Sequence, residues 1–459
     1  MEIDFSKPLD VYFIGIGGIS MSGLAGILLS EGFTVSGSDS KESGLTRDLA
    51  AKGARIYYEQ NGTHYDDSID LVVYTAAIKE DNPEFAAMVK AGLPHMTRAE
   101  FLGLLMKNYR VPVAVSGTHG KTTTTTMISE ILLKAEKDPT LSVGGVVQSV
   151  GSNIRIGGPE YFVFEACEYT NSFLSFFPKI SVILNVEEDH MDFFKDIDDI
   201  RNSFNRFAGL LPEDGLLVIN GEIPGLESVT KDVKCPIVTY GPDDRFDYWP
   251  TDISFDDKAR PSYTCHVKKT GESFKVSLGV TGIHNVYNSL AAVAVAEALN
   301  VEKEITAAAL KDCSGSKRRF EYRGSFDGVS VIDDYAHHPT EIAATLNACK
   351  NYPHGKLWCV FQPHTYTRTK AFLKDFAKAL SIADSVVLLD VYPAREKDIY
   401  GCNSKNLYDE LVSLGKECNY LHSFDEAEEF LHKNCINGDL LITMGAGDVV
   451  KIADHLTSK

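Results

Sequence analysis

Long apolar stretches are missing from this chain: no run approaches the roughly 18 residues that a membrane-crossing helix requires. Its start, Met1 to Pro8, lacks a basic segment followed by an apolar one, so secretion is not expected. Paired cysteines are missing too. The nine cysteines are scattered, odd in number and contain no CxxC pair, which argues against a disulfide framework or a zinc site and for reduced thiols in a cytoplasmic protein. Basic charge is scarce, and a net charge of −19 excludes the basic stripes that neutralise nucleic-acid phosphates. Positive charge is instead local, at Lys121, at Arg318-Arg319 and near Arg368, where an anionic ligand would need it. Low-complexity linkers and short-period repeats are absent as well, so short hinges are expected between domains.

What remains has an ordinary globular composition, 44% hydrophobic and 24% charged over 459 residues, a length that suggests about three domains at roughly 150 residues each. Short apolar runs recur, each followed by a Gly, Asp or Asn turn and a helical stretch, the pattern of repeated βα units around parallel sheets. The fold class is therefore α/β. The pattern starts with a strand at 11–14 and a helix at 19–30, restarts with a strand at 112–115, and restarts again at 329–332. Boundaries near residues 110 and 320 give domains of 1–110, 111–319 and 320–459. Further strands are expected at 34–37, 161–164, 182–184, 216–219, 357–361, 386–389 and 440–443, an antiparallel hairpin at 263–267 and 274–278, and helices at 289–299 and 369–380.

The strongest local motif is Gly117-Thr118-His119-Gly120-Lys121-Thr122, continued by Thr123. Its glycines let backbone N–H groups close on phosphate oxygens, Lys121 supplies a point charge, and Thr122 offers a hydroxyl to Mg²⁺. The full phosphate-loop pattern has a glycine five residues before Gly120, where Val115 stands here. Gly15-x-Gly17-Gly18, with Asp39 about twenty residues on, resembles a dinucleotide fingerprint, but Ser20 occupies the third glycine position. A diphosphate ligand, a nicotinamide cofactor or a plain tight turn all fit it. Glu165, after one strand, and His190, in Glu187-Glu188-Asp189-His190-Met191-Asp192, are candidate ligands for a divalent cation; His190 alone reads equally well as a helix-capping or core histidine. His284 and Asn288 offer the donor and acceptor edges an adenine needs, although Asn near a helix start is ordinarily a cap. Asp333-Asp334-Tyr335-Ala336-His337-His338-Pro339 follows a strand, and so polar a turn is better explained by a site than by packing.

Together these segments resemble the Mur ligases of bacterial cell-wall synthesis, along essentially the whole chain. The matches also include Thr97-Arg98-Ala99-Glu100, Arg318-Arg319-Phe320-Glu321, Phe361-Gln362-Pro363-His364 and Met444-Gly445-Ala446-Gly447-Asp448. The resemblance implies three domains, each on a mostly parallel sheet: an N-terminal Rossmann-like domain for a UDP-sugar, a central phosphate-loop domain for ATP and a C-terminal Rossmann-like domain for an amino acid. It implies ATP-dependent ligation of L-alanine to the lactyl carboxylate of UDP-N-acetylmuramate through an acyl phosphate, with Mg²⁺. The alternatives are a recycling ligase that joins a tripeptide to the same sugar and, from another class, an NAD(P)-dependent oxidoreductase built on the Gly15 loop.

By the same resemblance, Gly15, Gly17, Gly18, Ser20, Asp39 and Arg98 belong to the UDP-sugar side. Residues 117–123, with His284, Asn288 and Arg319, belong to ATP; Thr122, Glu165 and His190 to the metal; and His337, His338, His364 and Arg368 to the amino acid. The family's Glu-x-Asp-Glu-Ser-Asp reads Glu165-Ala166-Cys167-Glu168-Tyr169-Thr170 here, which leaves Glu165 or Glu168 as ligand, with Glu165 favoured. An arginine that often follows Gln-Pro-His is replaced by Thr365, which leaves Arg368 as the carboxylate fork.

Overall fold

A computed structural model describes residues 7–66, 68–75, 78, 81–191, 193–394, 396–398 and 401–458. Residues 1–6, used above to judge secretion, and Asp192 of the acidic motif lie outside them. The described chain forms two compact units, residues 1–238 and 239–459.

The first unit holds two sheets. Strands Arg55–Tyr57, Thr34–Ser38, Asp10–Ile14, Leu71–Tyr74 and His95–Thr97 lie side by side in that order, all parallel. Residues 11–14 are fully buried, as a strand covered on both faces must be. The chain builds outward on one side of this strand, then crosses to the other with Leu71–Tyr74, so the order reverses beside Asp10–Ile14. Ligands of open parallel sheets bind at such a reversal, at the C-terminal strand ends, and loop 15–18 sits there.

In the second sheet, the strands of this unit include, side by side in order, Leu216–Asn220, Ile180–Ile183, Val111–Ser116, Tyr161–Glu165, Thr140–Val147 and Ser152–Arg155. All these pairs are parallel except the last. Val111–Ser116 therefore delivers loop 117–120 between the ends of two neighbours. Glycines let the two sheets' elements approach: a Cβ on Gly23 would lie 1.3 Å from Ile154 Cδ1, and one on Gly103 1.9 Å from the Ser175 carbonyl oxygen.

In the second unit, Tyr248–Phe255, Pro261–Val267 and Glu272–Ser277 pair antiparallel in sequence, with Gly271 at φ +70° in the expected hairpin turn. A six-stranded sheet follows, ordered Glu321–Phe326, Val329–Asp334, Leu440–Met444, Leu357–Phe361, Ser385–Leu388 and Glu417–Tyr420, parallel except for its first pair.

Two expected helices differ. The one expected at 289–299 begins at His284, because Asn285 and Asn288 spend their amides locally: Asn285 Nδ2 donates to the Thr281 carbonyl at 2.7 Å and Asn288 Nδ2 to Asn285 Oδ1 at 2.9 Å. The one expected at 369–380 is two helices, Tyr366–Ala371 and Leu373–Leu380, broken at Phe372 (φ −112°), whose ring packs edge-on against His338.

Each sheet is thus mostly parallel or, in the 248–277 segment, a hairpin array attached to helix His284–Ala298, and the α/β class holds throughout. All nine cysteines are free thiols. No helix among the described residues is long and apolar enough to cross a membrane.

Candidate active site

In the first unit the Gly15 loop is drawn tight by its own strand ends. The N–H groups of Gly15 and Ile16 both donate to the Ser38 carbonyl, at 2.8 and 2.9 Å. Gly17 N–H donates to Asp39 Oδ2 at 2.8 Å, so Asp39 clasps the loop from the end of the adjacent strand. A Cβ on Gly17 would sit 2.8 Å from both Asp39 Oδ2 and Thr46 Cγ2, which is why glycine is needed. Helix Ile19–Ser30 begins after Gly18 with no side-chain cap, leaving its first N–H groups and positive dipole end directed at the crevice. Arg98 Nη1 donates to Ser20 Oγ at 2.9 Å, and burial lowers the Arg98 pKa while Cys167 opposes the shift. Gly15, Gly17, Gly18, Ser20, Asp39 and Arg98, spread over 84 residues of sequence, thus surround one helix end.

The phosphate loop follows the same logic. Gly117 (φ +136°) and Gly120 (φ +84°) adopt backbone conformations that side chains disfavour, and helix Lys121–Lys134 starts uncapped after Gly120. Asn185, just beyond strand Ile180–Ile183, braces the loop: its Oδ1 accepts from His119 N–H at 2.7 Å and its Nδ2 donates to the His119 carbonyl at 3.1 Å. Thr118 Oγ1 accepts from Glu187 N–H at 2.9 Å. Lys121 Nζ donates to the Gly117 and Thr118 carbonyls and to Glu168 Oε2 at 3.0 Å. Burial alone would lower the lysine's pKa; the neighbouring Glu168, aided by Cys167 and Glu165, reverses this and holds it above its ordinary value. Thr122 is buried and Thr123 half-buried in the first helical turn.

Of the two candidate carboxylates, Glu168 is the one placed beside the lysine and the histidine. It is 2% exposed, and its Oε1 lies 3.9 Å from His190 Nε2. Glu165, at the end of strand Tyr161–Glu165, accepts instead from Gly144 N–H at 2.6 Å. His190 takes a left-handed backbone (φ +54°) and stacks on Tyr169 at 4.4 Å. The sequence marks neither Asn185 nor Tyr169 as a site residue; the one available signal is that Asn185 follows a strand end flanking the phosphate loop.

In the second unit His284, half-buried, opens helix His284–Ala298, and its Nδ1 is withdrawn from solvent with no hydrogen-bond partner. Burial lowers its pKa to about 4; Glu341 opposes and Arg319 adds to the shift. The Arg319 guanidinium lies over the Tyr335 ring at 5.4 Å. Arg318 donates to Asp333 Oδ2 at 2.8 Å and to the Gly445 and Gly447 carbonyls, tying the segment before the six-stranded sheet to its strand ends. Asp334, buried, accepts from Phe320 and Ala336 N–H at 2.7 and 2.8 Å; burial raises its pKa to about 6 against the opposing Arg319.

The remaining candidates converge at that sheet's C-terminal ends. His337 Nδ1 lies 3.0 Å from the Tyr335 carbonyl, and His338 caps helix Pro339–Cys349 through Nδ1. The rings of His337 and His364 meet edge-on at 5.9 Å, His364 stacks on Tyr392 at 5.7 Å, and Arg368 Nη1 lies 3.4 Å from His364 Nδ1. Burial, then His337 and Arg368, depress the His364 pKa to about 4 against the pull of Glu396, so its imidazole is neutral near pH 7. His337, His364 and Arg368 therefore form one cluster. The His338 ring also packs edge-on against Phe372, at 4.8 Å.

An uncapped helix behind a lysine-bearing glycine loop, a second such helix end behind Gly17-Gly18, and the His337, His364 and Arg368 cluster at a third sheet are the parts an ATP-using ligase needs. Three family models match in order: Mur ligase family, catalytic domain, over residues 10–110; Mur ligase middle domain over 115–296; and Mur ligase, glutamate ligase domain, over 318–447. The chain belongs to the Mur ligase family. It is 56% identical to the UDP-N-acetylmuramate–L-alanine ligase of Agathobacter rectalis over 458 residues, covering 100% of both chains, and 48% identical to that of Caldanaerobacter subterraneus, covering 99% and 98%. Among solved structures it is similar to UDP-N-acetylmuramate-alanine ligase MurC from Thermotoga maritima (TM-score 0.81, 30% identity, 98% of each chain) and to a murein peptide ligase from Psychrobacter arcticus (TM-score 0.73, 27% identity, 98% of each).

Proposed function

We propose that this chain uses ATP to join L-alanine to the lactyl carboxylate of UDP-N-acetylmuramate, in peptidoglycan precursor synthesis. The observation that carries this reading is whole-length likeness to UDP-N-acetylmuramate–L-alanine ligases, with the three Mur ligase family models matched in order along the chain. The domains divide near residues 110 and 320, one for each substrate.

The helix end behind Gly15, Gly17 and Gly18 takes the UDP diphosphate, with Ser20, Asp39 and Arg98 around it. ATP phosphates enter the N–H cradle of residues 117–123, where Lys121 leaves Glu168 and the loop carbonyls to meet them. His284, Asn288 and Arg319 serve the nucleoside. Thr122, Glu165 and His190 would hold Mg²⁺; the hydroxyl and carboxylate oxygens suit a hard cation, and the His190 imidazole would be the softer donor of the set. Glu168, already between Lys121 and His190, is the second carboxylate available to that site. A cation held there would neutralise charge on the transferring phosphoryl group.

The lactyl carboxylate oxygen attacks the γ-phosphorus, ADP leaves, and an acyl phosphate forms. The alanine nitrogen then attacks its carbonyl carbon, the amine gives up a proton, and the C–O bond to phosphate breaks. Arg368 grips the alanine carboxylate through two parallel hydrogen bonds, and His337, His338 and neutral His364 line the amine's approach. Holding amine and acyl phosphate together removes much of the entropic barrier to their meeting.

The reading is tested by phosphate release from ATP in the presence of UDP-N-acetylmuramate and, separately, L-alanine, glycine, L-serine or the tripeptide. Release that depends on L-alanine is expected. Release with the tripeptide alone would assign the chain to the recycling reaction instead, and turnover of NAD(P)H would move it to the oxidoreductases.

A further inference from the structure

Between His364 and Arg368 the backbone is held in a conformation that its own residues do not favour. Thr365, β-branched, sits at φ +64° and ψ 146°, outside the regions open to ordinary side chains. The helix it introduces, Tyr366–Ala371, is only six residues long and breaks at Phe372, so it cannot sustain itself by cooperativity. Its N-cap residue, Thr365, contributes no side-chain capping hydrogen bond. Its first N–H groups are satisfied from elsewhere in the chain.

Glu396 supplies them. One carboxylate oxygen accepts from Tyr366 N–H at 2.7 Å and Thr367 N–H at 2.9 Å, and the other accepts from the Thr367 hydroxyl. The same segment splints the residues just before: Thr365 N–H donates to the Tyr392 carbonyl at 2.9 Å and Tyr392 N–H to the Pro363 carbonyl at 2.8 Å, beneath the His364–Tyr392 ring stack. A carboxylate at a helix N-terminus is also favoured by the dipole.

We propose that Glu396 is a positioning residue for the amino-acid substrate: by clamping the start of helix Tyr366–Ala371 it holds the strained Thr365 and presents Arg368 and His364 as one unit. The proposal rests on the assignment of alanine to that cluster. Where an arginine often follows Gln-Pro-His, this chain has Thr365, so among the described residues of this cluster Arg368 is the guanidinium left for the alanine carboxylate, and its placement depends on that clamp. Glu396 itself faces backbone amides and need not touch substrate.

Steady-state kinetics on Glu396→Ala, Glu396→Gln and Thr367→Val, with each substrate varied in turn, tests this. Glu396→Ala is expected to raise the KM for L-alanine about tenfold or more, the scale of a lost charge-assisted contact, with the KM values for ATP and UDP-N-acetylmuramate within about twofold. Glu396→Gln, which keeps acceptor oxygen but not charge, should recover part of that loss, and Thr367→Val should cost least. Thermal midpoints of all three should stay within a few degrees of the parent. A parallel rise in all three KM values, or an alanine KM unmoved by Glu396→Ala while Arg368→Lys raises it, overturns the positioning role alone. An alanine KM unmoved by both substitutions overturns it together with the placement of alanine at this cluster.

Discussion

Lys121 Nζ and Glu168 Oε2 stand 3.0 Å apart, both side chains largely withdrawn from water, so the charge of the phosphate loop is already matched before any phosphate arrives. Two charges removed from water need each other, and removing one partner leaves the other stranded. Lys121→Ala is therefore expected to cut turnover by on the order of 10²-fold or more, because the cation facing the transferred phosphoryl is lost. Phosphate-release assays check it, and more than a tenth of the parent activity would remove Lys121 from that role.

The two carboxylates near His190 make separable predictions. His190→Ala should shift the Mg²⁺ concentration needed for half-maximal activity upward while leaving UDP-sugar affinity nearly unchanged. Comparing Glu165→Gln with Glu168→Gln shows which carboxylate shares the ion: the ligand's substitution moves the Mg²⁺ midpoint. Magnesium titrations at saturating substrates give the answer, and a midpoint indifferent to His190 returns that residue to packing against Tyr169.

Arg368→Lys should raise the KM for L-alanine about tenfold, which corresponds to roughly 1.4 kcal/mol, with the KM for ATP little changed. A lysine keeps the charge but not the planar fork that grips a carboxylate with two bonds. Equal rises for ATP and alanine, or none, would leave Arg368 as a surface helix residue.

Gly17 has no room for a side chain beside Asp39 and Thr46. Gly17→Ala should weaken UDP-N-acetylmuramate binding about tenfold or more by displacing the Asp39 clasp, with ATP affinity retained. Calorimetric titration of each ligand measures both, and equal losses would point to general misfolding.

His284, half-buried with its Nδ1 withdrawn from water and its pKa lowered to about 4 against an ordinary 6.5, makes stability depend on pH. The unfolded chain takes up the proton first as pH falls, so the histidine's contribution is complete above about pH 6.5 and is lost as pH drops through about 4. A gap of that size corresponds to about 3 kcal/mol. The parent's stability relative to His284→Gln should therefore decline by about that amount between pH 7 and pH 4. Denaturant unfolding of both proteins across that range is the measurement, and a pH-independent difference would mean the imidazole is solvated.

Local chemistry was legible in the sequence wherever it is carried by neighbours along the chain. The Gly117–Lys121 spacing, the Gly15 loop, the 263–278 hairpin and most strand positions depend on backbone freedom, short apolar runs and turn residues, all of which act over a few residues. Tertiary structure alone decided which distant side chains complete those local pieces. It put Glu168 rather than Glu165 beside Lys121 and His190, Asn185 behind His119, Asp39 on Gly17 N–H, and Glu396 under a helix thirty residues away in sequence. Each of these contacts spans a parallel crossover or a loop between adjacent strand ends. The pairing register that brings such ends together is set by burying both faces of a sheet at once, and no single segment of sequence contains that information.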